Sequence, residues 1–439
     1  MTEPTHGFAT RQVHSGTEWT DAASRTVPVY MTAGFRFDDF DHAAAHFATG
    51  DGYGYTRTGN PTVDALERRI AELEGGAGAV FVGSGQAAVS VALLSLLSAG
   101  DHLVSSTHIY EGTRGLVNDL LSRFGVTVTY VDDIADPRAW EEAIRPETRA
   151  LFAESIGNAR NDLLDVPAVA AVADAHGIPL VVDNTFATPY LVRPIELGAA
   201  VVVHSASKFL AGHGAALGGV IVDDGRFDAA RSGALFPQLV TARHDGAPSV
   251  WERHGPRARL AYVRESVAPR LGPTPSPLNA FLVSQGIETL HLRVREQSAN
   301  AGRIAAWLES RDEVASVDYV GLASHPHHAL AKRLLPRGAG SVFTFTLHGG
   351  EKAARAFVES VQVVTHMTHL GDVRSLVLHP ATTSHAQHTD DARAALGVHP
   401  GTLRLSIGIE DVDDLIADLE RALKAASLAA STRTIEVIG

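Results

Sequence analysis

From residue 78 to residue 205 the chain repeats one pattern: a short apolar run, a turn of small or polar residues, then a stretch with helical spacing. AGAVFVGSG leads into QAAVSVALLSLLSAGD, and DHLVSST leads into TRGLVNDLLSRFG. VTVTYVDD and TRALFAES precede VPAVAAVADAHG, and the series closes on IPLVVDN and AAVVVHS. The apolar runs do not alternate with polar residues, so both faces of each strand must be covered. Strands of that kind separated by helices predict a parallel, doubly wound sheet.

The flanks read differently. Up to about Pro61 the chain is rich in Gly, Thr and aromatics with little helical periodicity, which predicts an irregular arm over 1–61. DALERRIAELEGG then places Leu66, Ile70 and Leu73 on one helical face and stops at Gly75–Gly76. Breakers crowd DGAPSVWERHGPRARL and LGPTPSPLNA, which puts a domain boundary at about 275. A large α/β domain over 62–275 and a smaller α+β domain over 276–439 follow. The smaller one carries helices in GIETLHLRVREQSANAGRIAAWLESR, EKAARAFVESV and DVDDLIADLERALKAA, and strands in SVFTFTLHGG and TLRLSIGIE. A chain of 439 residues is too long for one core, which agrees with that division.

Bulk properties narrow the function. A formal charge of −13 argues against a nucleic-acid or anionic-membrane surface, while leaving room for a local pocket that takes a small anion. The chain has no cysteine, so disulfides, thiolate catalysis and cysteine-ligated metals are excluded. The N-terminal MTEPTHGFATRQVHSG lacks the apolar core of a signal peptide, and AAVSVALLSLLSAG (87–100) is too short and too serine-rich to span a bilayer. A soluble, cytoplasmic protein is expected. The histidines of ASHPHHAL, VTHMTHL and TSHAQH match no metal-ligand spacing, and no metal is expected.

In an open parallel sheet, ligands bind beyond the carboxyl ends of the strands. Three such ends carry polar residues here. AVFV ends in Gly83-Ser84-Gly85-Gln86 at the start of a helix, which is either an anion cradle or a plain tight turn. PLVV ends in Asp183-Asn184-Thr185, whose carboxylate suits a cationic ring nitrogen, a metal or a helix cap. VVVHSASK ends in Lys208, either an amine made nucleophilic by desolvation or a lysine reaching to solvent. Ser205 and Ser207 add hydroxyl donors. A phosphate cradle, a carboxylate for a pyridinium and an amine for an aldehyde are jointly the demands of pyridoxal 5′-phosphate.

YTRTGNPT (55–62), SGQAA (84–88), VVDNTFATPYL (181–191), HSASKFLAGHG (204–214) and LVLHPATTSH (376–385) resemble the Cys/Met-metabolism family of pyridoxal-phosphate enzymes, over nearly the whole chain. The resemblance implies an aspartate-aminotransferase-like (type I) fold. It implies that Lys208 forms the imine with the cofactor and that Asp183, with Thr185 beside it, partners the ring nitrogen. Ser84, Gly85, Gln86, Ser205 and Ser207 match phosphate contacts. Tyr55 and Arg57 match a pair supplied to the phosphate by a neighbouring subunit, which implies a homo-oligomer, a tetramer built from dimers that share active sites. Tyr110 resembles the tyrosine stacked on the ring, and a proton relay at the same position is an open alternative. Asn158 matches a residue that contacts the cofactor's phenolic oxygen or the substrate, Ser375 a substrate-side contact, and Arg404 the guanidinium that takes the substrate α-carboxylate. Ser207 and Ala200 depart from the usual threonine and acidic residue.

Within that family, ESIGN, FATPYL, HSASKF and LGDVRSLVLHPATTSH resemble the O-acetylhomoserine sulfhydrylases most. The resemblance implies γ-replacement on an O-acylated homoserine by sulfide or a small thiol, in methionine biosynthesis. Methionine or cystathionine γ-lyase and cystathionine γ-synthase are the alternatives. Arg374 stands where members that handle cysteine usually carry glutamate, and a cation there is expected to favour a small anionic thiol.

Overall fold

The computed structural model describes residues 6–16, 24–158, 160–242 and 246–431. They form two compact units. One comprises the chain up to Ser106, Gly112–Ser155 and Asp165–Leu290; the other comprises Thr107–Glu111, Ile156–Leu164 and the chain from His291.

The first unit holds a seven-stranded sheet. Its strands are β1 (Gly78–Val82), β2 (His102–Ser106), β3 (Thr127–Val131), β4 (Thr148–Glu154), β5 (Leu180–Asp183), β6 (Val201–Ser205) and β7 (Gly219–Asp223), in the spatial order β1-β7-β6-β5-β4-β2-β3. All neighbours are parallel except β7, which runs antiparallel between β1 and β6. β1 therefore shares its direction with β6 and β5, and their carboxyl ends meet at one edge. The apolar runs are as covered as their composition demands: Leu151, Phe152, Val181, Val182, Val202 and Val203 are fully buried.

Helix Pro61–Glu74 starts at Asn60, whose side chain accepts from Thr62 N–H, and stops at Gly75 in the left-handed region. Leu66, Ile70 and Leu73, the face expected from spacing, are all at zero exposure. Two features depart from expectation. The arm contains helices Phe8–His14 and Phe40–Thr49, the second capped by Asp39 and ended by Gly50. Helix Pro277–Ile287 belongs with the first unit although the breakers precede it. A Cβ on its Gly286 would lie 2.2 Å from the Ala211 carbonyl, so only glycine lets that helix close on the loop after Lys208.

The second unit holds a five-stranded sheet of β8 (Val314–Asp318), β9 (Val342–Leu347), β10 (Thr365–His366), β11 (Leu376–Leu378) and β12 (Thr402–Ser406), in the order β10-β11-β12-β9-β8. Its pairs are antiparallel apart from β10 with β11. Phe343, Phe345, Leu403 and Leu405 of the sheet bury against Phe357, Leu415 and Leu419 of helices Gly350–Ser360 and Val412–Ser431. Among the described residues, no helix is long and apolar enough to cross a membrane.

Candidate active site

At the carboxyl edge of the large sheet, glycines draw three strand ends together. A Cβ on Gly85 would lie 2.8 Å from Ser205 Cα, and one on Gly219 would lie 2.0 Å from the Ser84 carbonyl. Side chains at either position would push β1, β6 and β7 apart. Ser84 caps helix Gly85–Leu96 by accepting from Ala87 N–H at 3.1 Å. The N–H groups of Gly85 and Gln86 are among those a helix start leaves without an intrahelical partner. Small residues, a helix N-terminus and the Ser205 hydroxyl at the same edge suit a phosphate. Gln86 donates to the Gly112 carbonyl at 2.9 Å, while its Oε1 is buried without a partner.

Asp183 ends β5. Its Oδ1 accepts from Thr185 N–H at 2.9 Å and from the Thr185 hydroxyl at 2.5 Å, and Thr185 Oγ1 accepts in turn from Ser205 N–H at 2.8 Å. Thr185 is thereby the link between β5 and β6. Burial pushes the Asp183 carboxyl above the usual range, against the pull of the Thr185 hydrogen bonds and the nearby His204. A buried carboxylate in that condition is stabilised by a cation brought to it, which a protonated ring nitrogen supplies. The residues present fit pyridoxal phosphate at this edge.

Lys208 follows β6 in a tight turn, its N–H on the Ser205 carbonyl at 3.1 Å and its own carbonyl accepting from Gly212 at 2.7 Å. The next residues, Phe209, Leu210 and Ala211, are buried and fix the turn. Lysine stands at the end of an apolar strand because buried neighbours on both sides hold its backbone at the sheet edge. Ser207 differs from Ser205: its hydroxyl donates to the Gly218 carbonyl at 3.3 Å and accepts from the Gly218 N–H at 3.1 Å, a turn-holding role. Tyr55 and Arg57 are exposed, the guanidinium 5.5 Å from the ring centre and donating to the Pro269 carbonyl at 2.9 Å.

Tyr110, Asn158, Ser375 and Arg404 belong to the second unit. Tyr110 is half-exposed between two anchors. His108 Nδ1 lies 2.6 Å from Asp162 Oδ2, and Glu111 meets His388 at 2.8 Å and His385 at 3.4 Å. Burial works to raise Asp162, but His108 holds it below the usual carboxylate range. A Cβ on Gly157 would sit 3.1 Å from the His108 carbonyl, so the Tyr110 and Asn158 segments pack closely. The TSHAQH histidines thus serve as anchors, and among the described residues no group of three His, Asp or Glu is arranged to hold a metal.

Arg404 lies on β12 opposite Leu378, buried, with NH2 at 3.5 Å from the His369 carbonyl. Ser375, fully buried, has its N–H on Glu410 Oε1 at 2.6 Å and its hydroxyl on Oε2 at 2.8 Å. Its Oγ also accepts from Gly408 N–H at 2.9 Å. Glu410 was not singled out by the sequence; the SIGIED stretch gives no hint that its carboxylate reaches back 35 residues to Ser375. Arg374 is exposed and forms a two-pronged pair with Asp372, at 2.8 and 3.0 Å. The cation expected to select an anionic thiol is therefore matched by a carboxylate beside it.

The sequence profile of the Cys/Met metabolism PLP-dependent enzymes matches residues 9–424. An O-acetyl-L-homoserine sulfhydrylase of Corynebacterium glutamicum is 44% identical over 434 residues, covering 95% of this chain and 97% of its own. A homocysteine synthase of Schizosaccharomyces pombe is 41% identical, covering 95% and 98%. A crystal structure from Campylobacter jejuni, named an O-acetylhomoserine (thiol)-lyase and carrying N′-pyridoxyl-lysine-5′-monophosphate, superposes with a TM-score of 0.91 at 34% identity, over 95% of this chain and 100% of that one. The architecture is that of the type I PLP enzymes. With a match along almost its entire length, and with lysine, carboxylate and helix start meeting at one sheet edge, the chain belongs to the Cys/Met-metabolism family of PLP-dependent enzymes.

Proposed function

We propose that the chain catalyses γ-replacement on O-acetylhomoserine by sulfide or a small thiol, yielding homocysteine or methionine and acetate. The observation that carries this reading is the 40–44% identity, over nearly full length, to relatives named sulfhydrylases and homocysteine synthases. Bound pyridoxal phosphate supplies the electron sink that makes the substrate Cα–H acidic. Lys208 Nζ is assigned the proton transfers, one proton at a time: as the free amine it takes the Cα proton, gives it up, takes a Cβ proton, and as the ammonium returns protons to Cβ and Cα after acetate has left and the thiol has added at Cγ. Asp183 keeps the ring nitrogen protonated; Ser84, Gly85, Gln86 and Ser205 hold the phosphate, with Ser207 securing the turn. Tyr110 covers the ring. Arg404 pairs with the substrate α-carboxylate, and Asn158 contacts the cofactor's phenolic oxygen or the substrate.

A homo-oligomer in which Tyr55 and Arg57 serve a neighbouring subunit is part of the same reading. It is supported by the apolar exposure of the N-terminal segment, where Met31, Phe40 and Phe47 are 66, 85 and 81% exposed. A cytoplasmic place suits a chain without cysteine. The test is a steady-state comparison of O-acetyl- and O-succinylhomoserine with sulfide, methanethiol and cysteine. The reading expects the acetyl ester with sulfide or methanethiol to be fastest. A strong preference for cysteine, or release of 2-oxobutanoate without thiol, would replace it with a cystathionine synthase or a γ-lyase.

A further inference from the structure

Beneath the sheet edge lies a buried polar cluster that none of the roles above uses. Glu74, Asn184 and His204 are at 0, 0 and 1% exposure. Glu74 Oε1 accepts from His204 Nε2 at 2.6 Å and from Asn184 Nδ2 at 2.9 Å. Both contacts converge on one carboxylate oxygen, which fixes the orientation of the imidazole and of the Asn184 amide. Glu74 is the last residue of helix Pro61–Glu74, where the helix dipole disfavours a negative charge. Its place there is a cost that the hydrogen bonds from its neighbours offset. Glu74 Oε2, His204 Nδ1 and Asn184 Oδ1 are buried without partners, which is expensive unless the cluster serves a purpose.

The cluster reaches two strand ends at once. Asn184 directly follows Asp183, and His204 directly precedes Ser205, four residues before Lys208. Asn184 is held at three further points: its N–H donates to the Val203 carbonyl of β6 at 2.9 Å, its carbonyl accepts from Thr188 N–H at 2.9 Å, and Nδ2 also donates to the Val192 carbonyl at 3.0 Å. That loop contains Thr188 at φ +62°, a conformation costly for a β-branched residue, which persists only where its surroundings enforce it. Strand alternation places His204 on the opposite face from Val203, the register partner of Asp183, so the pair supports Asp183 from behind.

We propose that Glu74, His204 and Asn184 are positioning residues that fix Asp183 for the ring nitrogen of the cofactor, acting through β5 and β6 without touching the cofactor. The proposal rests on the family's cofactor and not on the choice of substrate. The test is pyridoxal-phosphate affinity of the apoenzyme, read by equilibrium dialysis, for His204→Gln and Glu74→Gln, each in the native and the Asp183→Asn background. The expected result is an increase in Kd of about tenfold when Asp183 is present and of less than about twofold when it is absent. In the native background the absorbance band of bound cofactor should also move in the direction that Asp183→Asn moves it. Glu74→Gln keeps an acceptor at the same place and provides the reading if His204→Gln fails to fold. Equal factors in both backgrounds, or unchanged Kd in both variants, would overturn the proposal. Failure of the unaltered protein to bind pyridoxal phosphate would instead remove the family reading beneath it, and the proposal with it.

Discussion

The polar groups at the edge of the seven-stranded sheet and those around the five-stranded sheet are held in opposite ways. In the large unit, Ser84, Gly85, Asp183, Thr185 and Ser205 are brought together by glycine contacts and strand-end hydrogen bonds, and burial leaves Asp183 in want of a cation. In the small unit the opposite charges and hydroxyls are matched locally: Arg374 with Asp372, Ser375 with Glu410. The first edge is shaped around what a bound group brings to it. The second is satisfied around Ser375 by groups of its own unit.

That contrast can be broken by four substitutions. Arg404→Lys has the largest expected effect: an ammonium cannot replace a two-pronged guanidinium, and kcat/KM for the acylhomoserine should fall about a hundredfold. Ser375→Ala comes next. If its hydroxyl serves Glu410 and Gly408, chemical denaturation should show a loss of about 1–2 kcal/mol while KM rises less than about threefold. A tenfold rise in KM at unchanged stability would mean that Ser375 contacts substrate after all.

Asp183→Asn sharpens the other side. Folding raises the proton affinity of this acid, so the folded apoprotein binds more protons than the unfolded chain and loses stability as pH rises above the ordinary aspartate range. Asparagine removes that loss. The apo-variant should unfold about 2 °C above the native apoprotein at neutral pH, with the gap narrowing as the pH falls towards about 4, while its affinity for pyridoxal phosphate drops. Scanning calorimetry across pH reads the first effect. Arg374→Ala should do least: the exposed, locally paired guanidinium is expected to change KM for sulfide by less than about twofold.

How far the sequence foretold this can be followed element by element. Continuous apolar strands between helices announce a parallel sheet, and the spacing of Leu66, Ile70 and Leu73 gives the buried face of the helix that carries Glu74. β7 was not foreseen, because GGVIVDD is followed only by the four-residue helix Ala229–Ser232 and nothing local says that it inserts antiparallel between β1 and β6. Helix Phe40–Thr49 buries no residue within the chain and its apolar positions Phe40, Ala43, Ala44 and Phe47 are few, so its Asp39 cap and Gly50 stop are the clearer signals. Segments 107–111 and 156–164 lie in sequence within the large domain yet pack with the small one, a partition that no local pattern encodes. The site divides the same way. Residues on strand ends are visible as polar breaks in apolar runs, whereas Glu410 and Glu74 act on partners 35 and 130 residues away and look locally like ordinary helix-end or loop carboxylates.

The central claim is that Lys208 is the residue that holds the cofactor. The chain has four lysines, 208, 332, 352 and 424, of which the last three are exposed. Reduction of the pyridoxal-phosphate-loaded protein with borohydride, followed by peptide mapping, tests the claim directly. One equivalent of phosphopyridoxyl label on Lys208 per chain is the predicted result; label spread over Lys332, Lys352 and Lys424, with Lys208 unmodified, would contradict it.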